Sequence, residues 1–182
     1  MATYMTFFAV PDHHIEFLEK HPQYLADYLE GKQPNTKRGL FSRLFCSVNT
    51  PETPPDWPTQ VHDHSTEINH RQVEYLHYLL NGTESEIANA GCLFQTWFKP
   101  HATCCAVAID DSKFAFKSAQ VIELKSIMMS INDDVIFRRY QEKVDDDMTD
   151  DDKELLLNIF CDLNIICDES ISKNQGIIWS AS

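Results

Sequence analysis

An α+β fold is what this 182-residue sequence predicts, with several helices packed on a small mixed or antiparallel sheet that takes in both ends of the chain. Three observations point there. Short apolar runs at the two termini, Tyr4 to Val10 and Gly176 to Trp179, read as strands, and neither could stay unpaired. Between them, apolar residues recur at helical spacing in segments that carry their own start and stop signals. The composition, 43% hydrophobic and 11% aromatic, fills one substantial core, whereas two domains would each be thin. A single domain over residues 1–182 is the expectation.

The elements follow in order. After the first strand, Pro11-Asp12 opens a helix through about Lys20, and His21-Pro22 opens another with Tyr24, Leu25, Tyr28 and Leu29 as its apolar stripe before Gly31 stops it. Residues 31 to 66 hold five of the eight prolines and read as a long proline-rich connection with little regular structure. It carries the basic, amphipathic patch Lys37 to Phe45. Asn69 and Gln72 form a capping box for a helix that Asn81-Gly82 ends. On it, His77 lies four residues after Val73 and three before Leu80, so the imidazole points toward the core. Thr83 and Glu86 make a second capping pair, with Gly91 closing that short helix. Residues 92 to 98, 104 to 109 and Lys113 to Lys117 read as strands. Ser118 caps a helix to about Ser130, Asn132 opens one to about Glu142, and Thr149 with Asp152 starts a helix of more than four turns along Leu155, Leu156, Ile159, Phe160, Leu163 and Ile166.

Charge narrows the function classes. The formal net charge is −13, and phosphate-directed nucleic-acid binding needs a basic stripe instead. Residues 133 to 169 contain thirteen acids against four bases, a field that repels nucleic acid and anionic membrane but steers a cationic partner. No run of eighteen apolar residues exists, and the N-terminus lacks a basic n-region and a small-residue cleavage site. Six cysteines show no disulfide-scaffold spacing and sit mostly among apolar neighbours, as reduced thiols do. The expectation is a soluble cytoplasmic protein.

The segment Arg71-Gln72-Val73-Glu74-Tyr75-Leu76-His77-Tyr78-Leu79-Leu80-Asn81-Gly82-Thr83 resembles the basic-x-Trp-x-x-Leu-His-x-x-Leu-x-Gly signature of the bacterial YfbM-like domain of unknown function. Val73 stands where that family usually has tryptophan. The order of the other elements is similar over nearly the whole chain. The resemblance implies an α+β fold and brings no catalytic residues to carry over.

Four places in the chain offer candidate chemistry. His62, His64 and His70, spaced H-x-H-x5-H with Asp63 and Glu67 between, could supply three nitrogen ligands, but the first two lie in the proline-rich connection and no second cluster matches them, so no metal and no cofactor is expected. His101 with Cys104 and Cys105 lacks the paired motifs of a zinc deaminase. No nucleophile elbow, P-loop or dinucleotide fingerprint occurs among only five glycines. The runs Asp145-Asp146-Asp147 and Asp150-Asp151-Asp152 lack the glycine and glutamate of a calcium loop.

Two function classes follow. The first is a non-enzymatic protein-binding module of the bacterial cytosol that takes a cationic partner on Asp145, Asp146, Asp147, Asp150 and Asp151, as an immunity protein covers a basic toxin. The second is a small hydrolase or transferase with a pocket around His77, Trp97 and the cysteines. Catalytic motifs are not assembled, so the first is the expectation, with His77 a structural core group.

Overall fold

The computed structural model describes residues 3–33, 52–61, 63–68, 78–80, 82, 107–109, 113–143 and 148–181. Among the described residues, five strands form one antiparallel sheet: β1 Thr3–Val10, β2 Asp63–Ile68, β3 Val107–Ala108, β4 Lys113–Phe116 and β5 Gly176–Ala181, in the order β2-β1-β5-β4-β3. The α+β expectation and the shared sheet of the two chain ends both hold, and β1 and β5 are direct neighbours, with Phe7 opposite Trp179 and Phe8 opposite Ile178. Because β5 is central, both its faces are covered. Ile177, Ile178 and Trp179 are consecutive and all buried, which is why this strand reads as a continuous apolar run.

Helices cover both faces. On one lie α3 Ser118–Met129, α4 Asp133–Gln141 and α5 Asp150–Ser172, whose Val121, Leu124, Met128, Ile136, Tyr140, Leu156, Ile159, Phe160, Leu163 and Ile166 form one core with Phe7, Phe116, Ile177 and Trp179. Trp179 stacks on Phe116 with ring centroids 4.2 Å apart, and burying a side chain of this size contributes about 5 kcal/mol of transfer free energy. The opposite face packs Val10, Ala115 and Ile178 against α1 Asp12–Lys20, a 3-10 turn Pro22–Tyr24, α2 Leu25–Leu29 and Trp57. The alternation along the strands divides the two cores: Ile177 and Trp179 point one way, Ile178 the other.

Among the described residues, the signals at Asn132, Thr149 with Asp152, Gly31 and Gly82 act where the sequence places them. The capping pairs Asn69 with Gln72 and Thr83 with Glu86, the stop at Gly91 and the strand expected over 92–98 lie outside the described residues. Asn132 accepts from Val135 N at 3.0 Å, and Thr149 and Asp152 make a reciprocal capping box. Gly31 (φ +66°) ends α2, and a Cβ there would lie 2.2 Å from the Thr59 carbonyl oxygen. Gly82 (φ +67°) follows the helical residues 78–80.

Three expectations change. The connection expected over 31–66 ends in a strand: Asp63–Ile68 pairs with β1, Phe7 opposite His64, because the edge of β1 needs a hydrogen-bonding partner. His64 therefore stands in a strand and not in a loop. His21 makes no side-chain cap. Ser118 is the first helical residue and not the cap; the carboxylate that caps its helix belongs to Asp12, which accepts from Ser118 N at 2.8 Å and from Ser118 Oγ at 2.7 Å.

Candidate functional site

The first candidate site forms where α1 starts. Pro11 ends β1 and opens the helix, so His13 and His14 occupy its first turn. His14 lies four residues before Leu18 on the buried face and is 2% exposed, whereas His13 faces solvent. Asp56 arrives from residues 52–61, which Trp57 anchors. The indole packs edge-on against Tyr28 at 5.1 Å and Phe17 at 5.8 Å and donates to the Lys32 carbonyl at 2.9 Å. The neighbouring carboxylate is thereby held against both histidines.

The geometry is a relay. Asp56 accepts from His14 Nε2 at 3.0 Å, and His13 Nε2 donates to both its oxygens at 3.0 Å. Tyr28 Oη lies 2.7 Å from His14 Nδ1. Since a carboxylate can only accept, a neutral His14 carries its proton on Nε2, and Tyr28 donates to Nδ1. Burial outweighs the carboxylate and holds the His14 pKa below its usual value, while hydrogen bonds from His13 and His14 hold Asp56 far below the usual carboxylate range. The two shifts are unequal for a physical reason: His14 gives up solvent to make the bond, whereas Asp56 stays half in water. Tyr28 is raised by burial and then by Asp56, so it remains a hydroxyl.

Two clefts flank the cluster. One of about 450 Å³ lies on the His13 side, with Glu16, Phe17, Lys20, His21 and Glu52 among its lining residues. The other, of about 250 Å³, exposes His14, Tyr28 and Asp56 to Gln60, Lys173 and Gln175. The sequence alone does not single out His13, His14, Asp56 or Tyr28. An adjacent histidine pair in a first helical turn was the only local signal; Asp56 is 43 residues from His13, and nothing in the sequence joins them.

The second candidate is the outward face of α5. Asp150, Asp151, Glu154, Leu157, Cys161, Ile165 and Asp168 recur at three- and four-residue spacing and are all exposed. Beside it, Lys125 of α3 reaches Asn164 Oδ1 at 3.0 Å and Asp168 at 2.8 Å. Ile122 and Met129, three before and four after Lys125, flank that bridge and are 55% and 76% exposed. Exposed apolar residues thus stand on both of two packed helices, and the row on α5 has acids at either end.

Of the residues singled out from sequence, Asp150 and Asp151 stand exposed in the first turn of α5, Asp150 pairing with Lys153 at 3.0 Å. Asp145, Asp146, Asp147, His62, His70, His77, Trp97, His101 and the cysteines at 46, 92, 104 and 105 lie outside the described residues, as do the side chain of His64 and the patch Lys37 to Phe45. Cys167 is buried, and burial pushes its thiol up to about 12; Cys161 is exposed. Among the described residues, no helix is long and apolar enough to cross a membrane.

One solved structure shares this architecture: the crystal structure of a protein of unknown function, YfbM from Escherichia coli, matches with a TM-score of 0.52 and 12% identity over 100% of both chains. The likeness shows the fold alone. No protein-family model and no curated protein matches the chain.

Proposed function

We propose that this protein is a non-enzymatic protein-binding module of the bacterial cytosol, a divergent YfbM-like domain that captures a cationic protein partner along the outward face of α5. The observation that carries the reading is the row of exposed Leu157, Cys161 and Ile165 along α5 with acids at its ends, beside a packed helix that exposes Ile122 and Met129. Singly exposed apolar residues are ordinary, but a row at helical spacing beside further exposed apolar residues on a packed neighbour is what a helix-docking face presents. The acids supply steering and orientation, and the apolar residues supply desolvated area. Lys125, the base between Ile122 and Met129, is already engaged by Asn164 and Asp168. A basic amphipathic segment fits such a face. An immunity-type protein covering a cationic toxin is a role of this class, with Asp145, Asp146 and Asp147 as further candidate contacts.

The test compares partners retained from the native host by the wild type and by Leu157→Ser/Ile165→Ser and Glu154→Lys variants. All three changes are at exposed positions and leave the core intact. The wild type retains a basic protein that both variants lose, its association slows as salt rises, and the partner shields Cys161 from alkylation. A partner retained equally by all three, with Cys161 still open, refutes this face.

A further inference from the structure

We propose that His13, His14 and Asp56 form a binding site for a divalent transition-metal ion of the zinc class, with Tyr28 as the outer partner that orients the ring of His14. One ligand atom from each of the three residues lies within 4.8 Å of the others. Both Nε2 atoms are 3.0 Å from Asp56 oxygens. In a tetrahedral site with metal–donor bonds of roughly 2.0–2.1 Å, donors stand about 3.3 Å apart. The histidine–aspartate spacings therefore open by roughly 0.3 Å to admit an ion, and the exposed ring of His13 lies with its centroid 4.3 Å from that of His14.

The donor set selects the ion. Two imidazoles and one carboxylate suit Zn²⁺, Co²⁺ or Ni²⁺, whereas Ca²⁺ and Mg²⁺ take oxygen donors. Three protein ligands leave the fourth position to water, toward the clefts on either side. The start of α1 is electropositive and opposes a cation; the Asp56 carboxylate offsets that.

Proton bookkeeping closes with one exchange through solvent: His13, whose Nε2–H donates to Asp56 without an ion, gives that proton to water and takes one at Nδ1 when Nε2 binds the metal. Without an ion, His14 donates Nε2–H to Asp56 and accepts from Tyr28 at Nδ1. With an ion, the Nε2 lone pair goes to the metal, the ring proton moves to Nδ1, and Nδ1–H donates to the Tyr28 oxygen. Tyr28, a buried side chain that lines the smaller cleft, then turns its hydroxyl proton away from Nδ1 toward that cleft. His14 neither gains nor loses a proton. A histidine ligand whose second nitrogen donates to an oxygen is the usual outer arrangement of metal sites.

The experiment uses the full chain after chelator treatment and titrates it with ZnCl2 by calorimetry and with CoCl2 by visible absorption. Uptake of one equivalent of Zn²⁺, with the absorption bands of four- or five-coordinate Co²⁺, is the expected result. His13→Ala and Asp56→Asn, at half-exposed positions, each weaken binding at least about tenfold while circular dichroism stays native. A His62→Ala/His64→Ala/His70→Ala variant keeps the site, and nitrogen-15 spectra of the zinc-bound wild type show His14 protonated at Nδ1. No saturable uptake, uptake unchanged in His13→Ala and Asp56→Asn, or uptake lost only in the triple variant overturns the proposal.

Discussion

Asp12 holds the start of a helix that begins 106 residues later in the chain, and removing its carboxylate should cost about 2 kcal/mol of stability. Ser118 N and Ser118 Oγ both donate to Asp12, at 2.8 and 2.7 Å, in a partly buried setting. Hydrogen bonds to a charged acceptor contribute about 1.5–3 kcal/mol, and an N-terminal cap about 0.5–2 kcal/mol. Because the hydroxyl regains water in the variant, the lower part of the combined range applies. Asp12→Ala should then lower the unfolding free energy by about 2 kcal/mol and the Tm by roughly 4–8 °C for a chain of this size. Asp12→Asn keeps an acceptor for Ser118 N and should lose about half as much. Urea titration followed by circular dichroism measures both, and a double-mutant cycle with Ser118→Ala should return a coupling of about 1 kcal/mol. Asp12→Ala within about 0.5 kcal/mol of wild type, or strict additivity with Ser118→Ala, would refute the long-range cap.

Three further outcomes are expected. Gly176→Ala should destabilise by about 3 kcal/mol, since its Cβ would lie 2.3 Å from the Phe116 carbonyl oxygen and 2.5 Å from Ile15 Cδ1; thermal unfolding measures it, and a neutral result would mean β4 and β5 separate easily. Ser170→Ala should be neutral or gain about 1 kcal/mol, because its fully buried hydroxyl finds no partner among the described residues; a loss above that size would reveal a partner. The pKa of His14 is lowered in the folded state, so the unfolded chain binds this proton first. Stability is fully present above the unfolded value of 6.5 and declines as pH falls below it toward the folded value. In chelator-treated protein the slope of stability against pH below 6.5 should shrink in His14→Gln, and an unchanged slope would count against a buried neutral His14.

Local chemistry decided much of this molecule. Thr149 with Asp152, Asn132, and the glycines at 31 and 82 sit at element ends because side-chain caps and positive φ act within a few residues, and the same range makes them readable in sequence. The two terminal strands were legible for a related reason: apolar runs of that length have to be paired and covered. Only the tertiary structure made β5 central, turned residues 63–68 into a strand on the far edge of β1, and handed the cap of α3 to Asp12. At the C-terminal side of residues 78–80, Arg139 of α4 likewise supplies its guanidinium to the Leu79 and Leu80 carbonyls at 2.6 and 3.1 Å. The cluster of His13, His14, Asp56 and Tyr28 belongs to the same category. Hydrogen bonds and ion coordination depend on distance in space, and the packing of Trp57 against Phe17 and Tyr28 is what carries Asp56 across 42 residues of chain to His14.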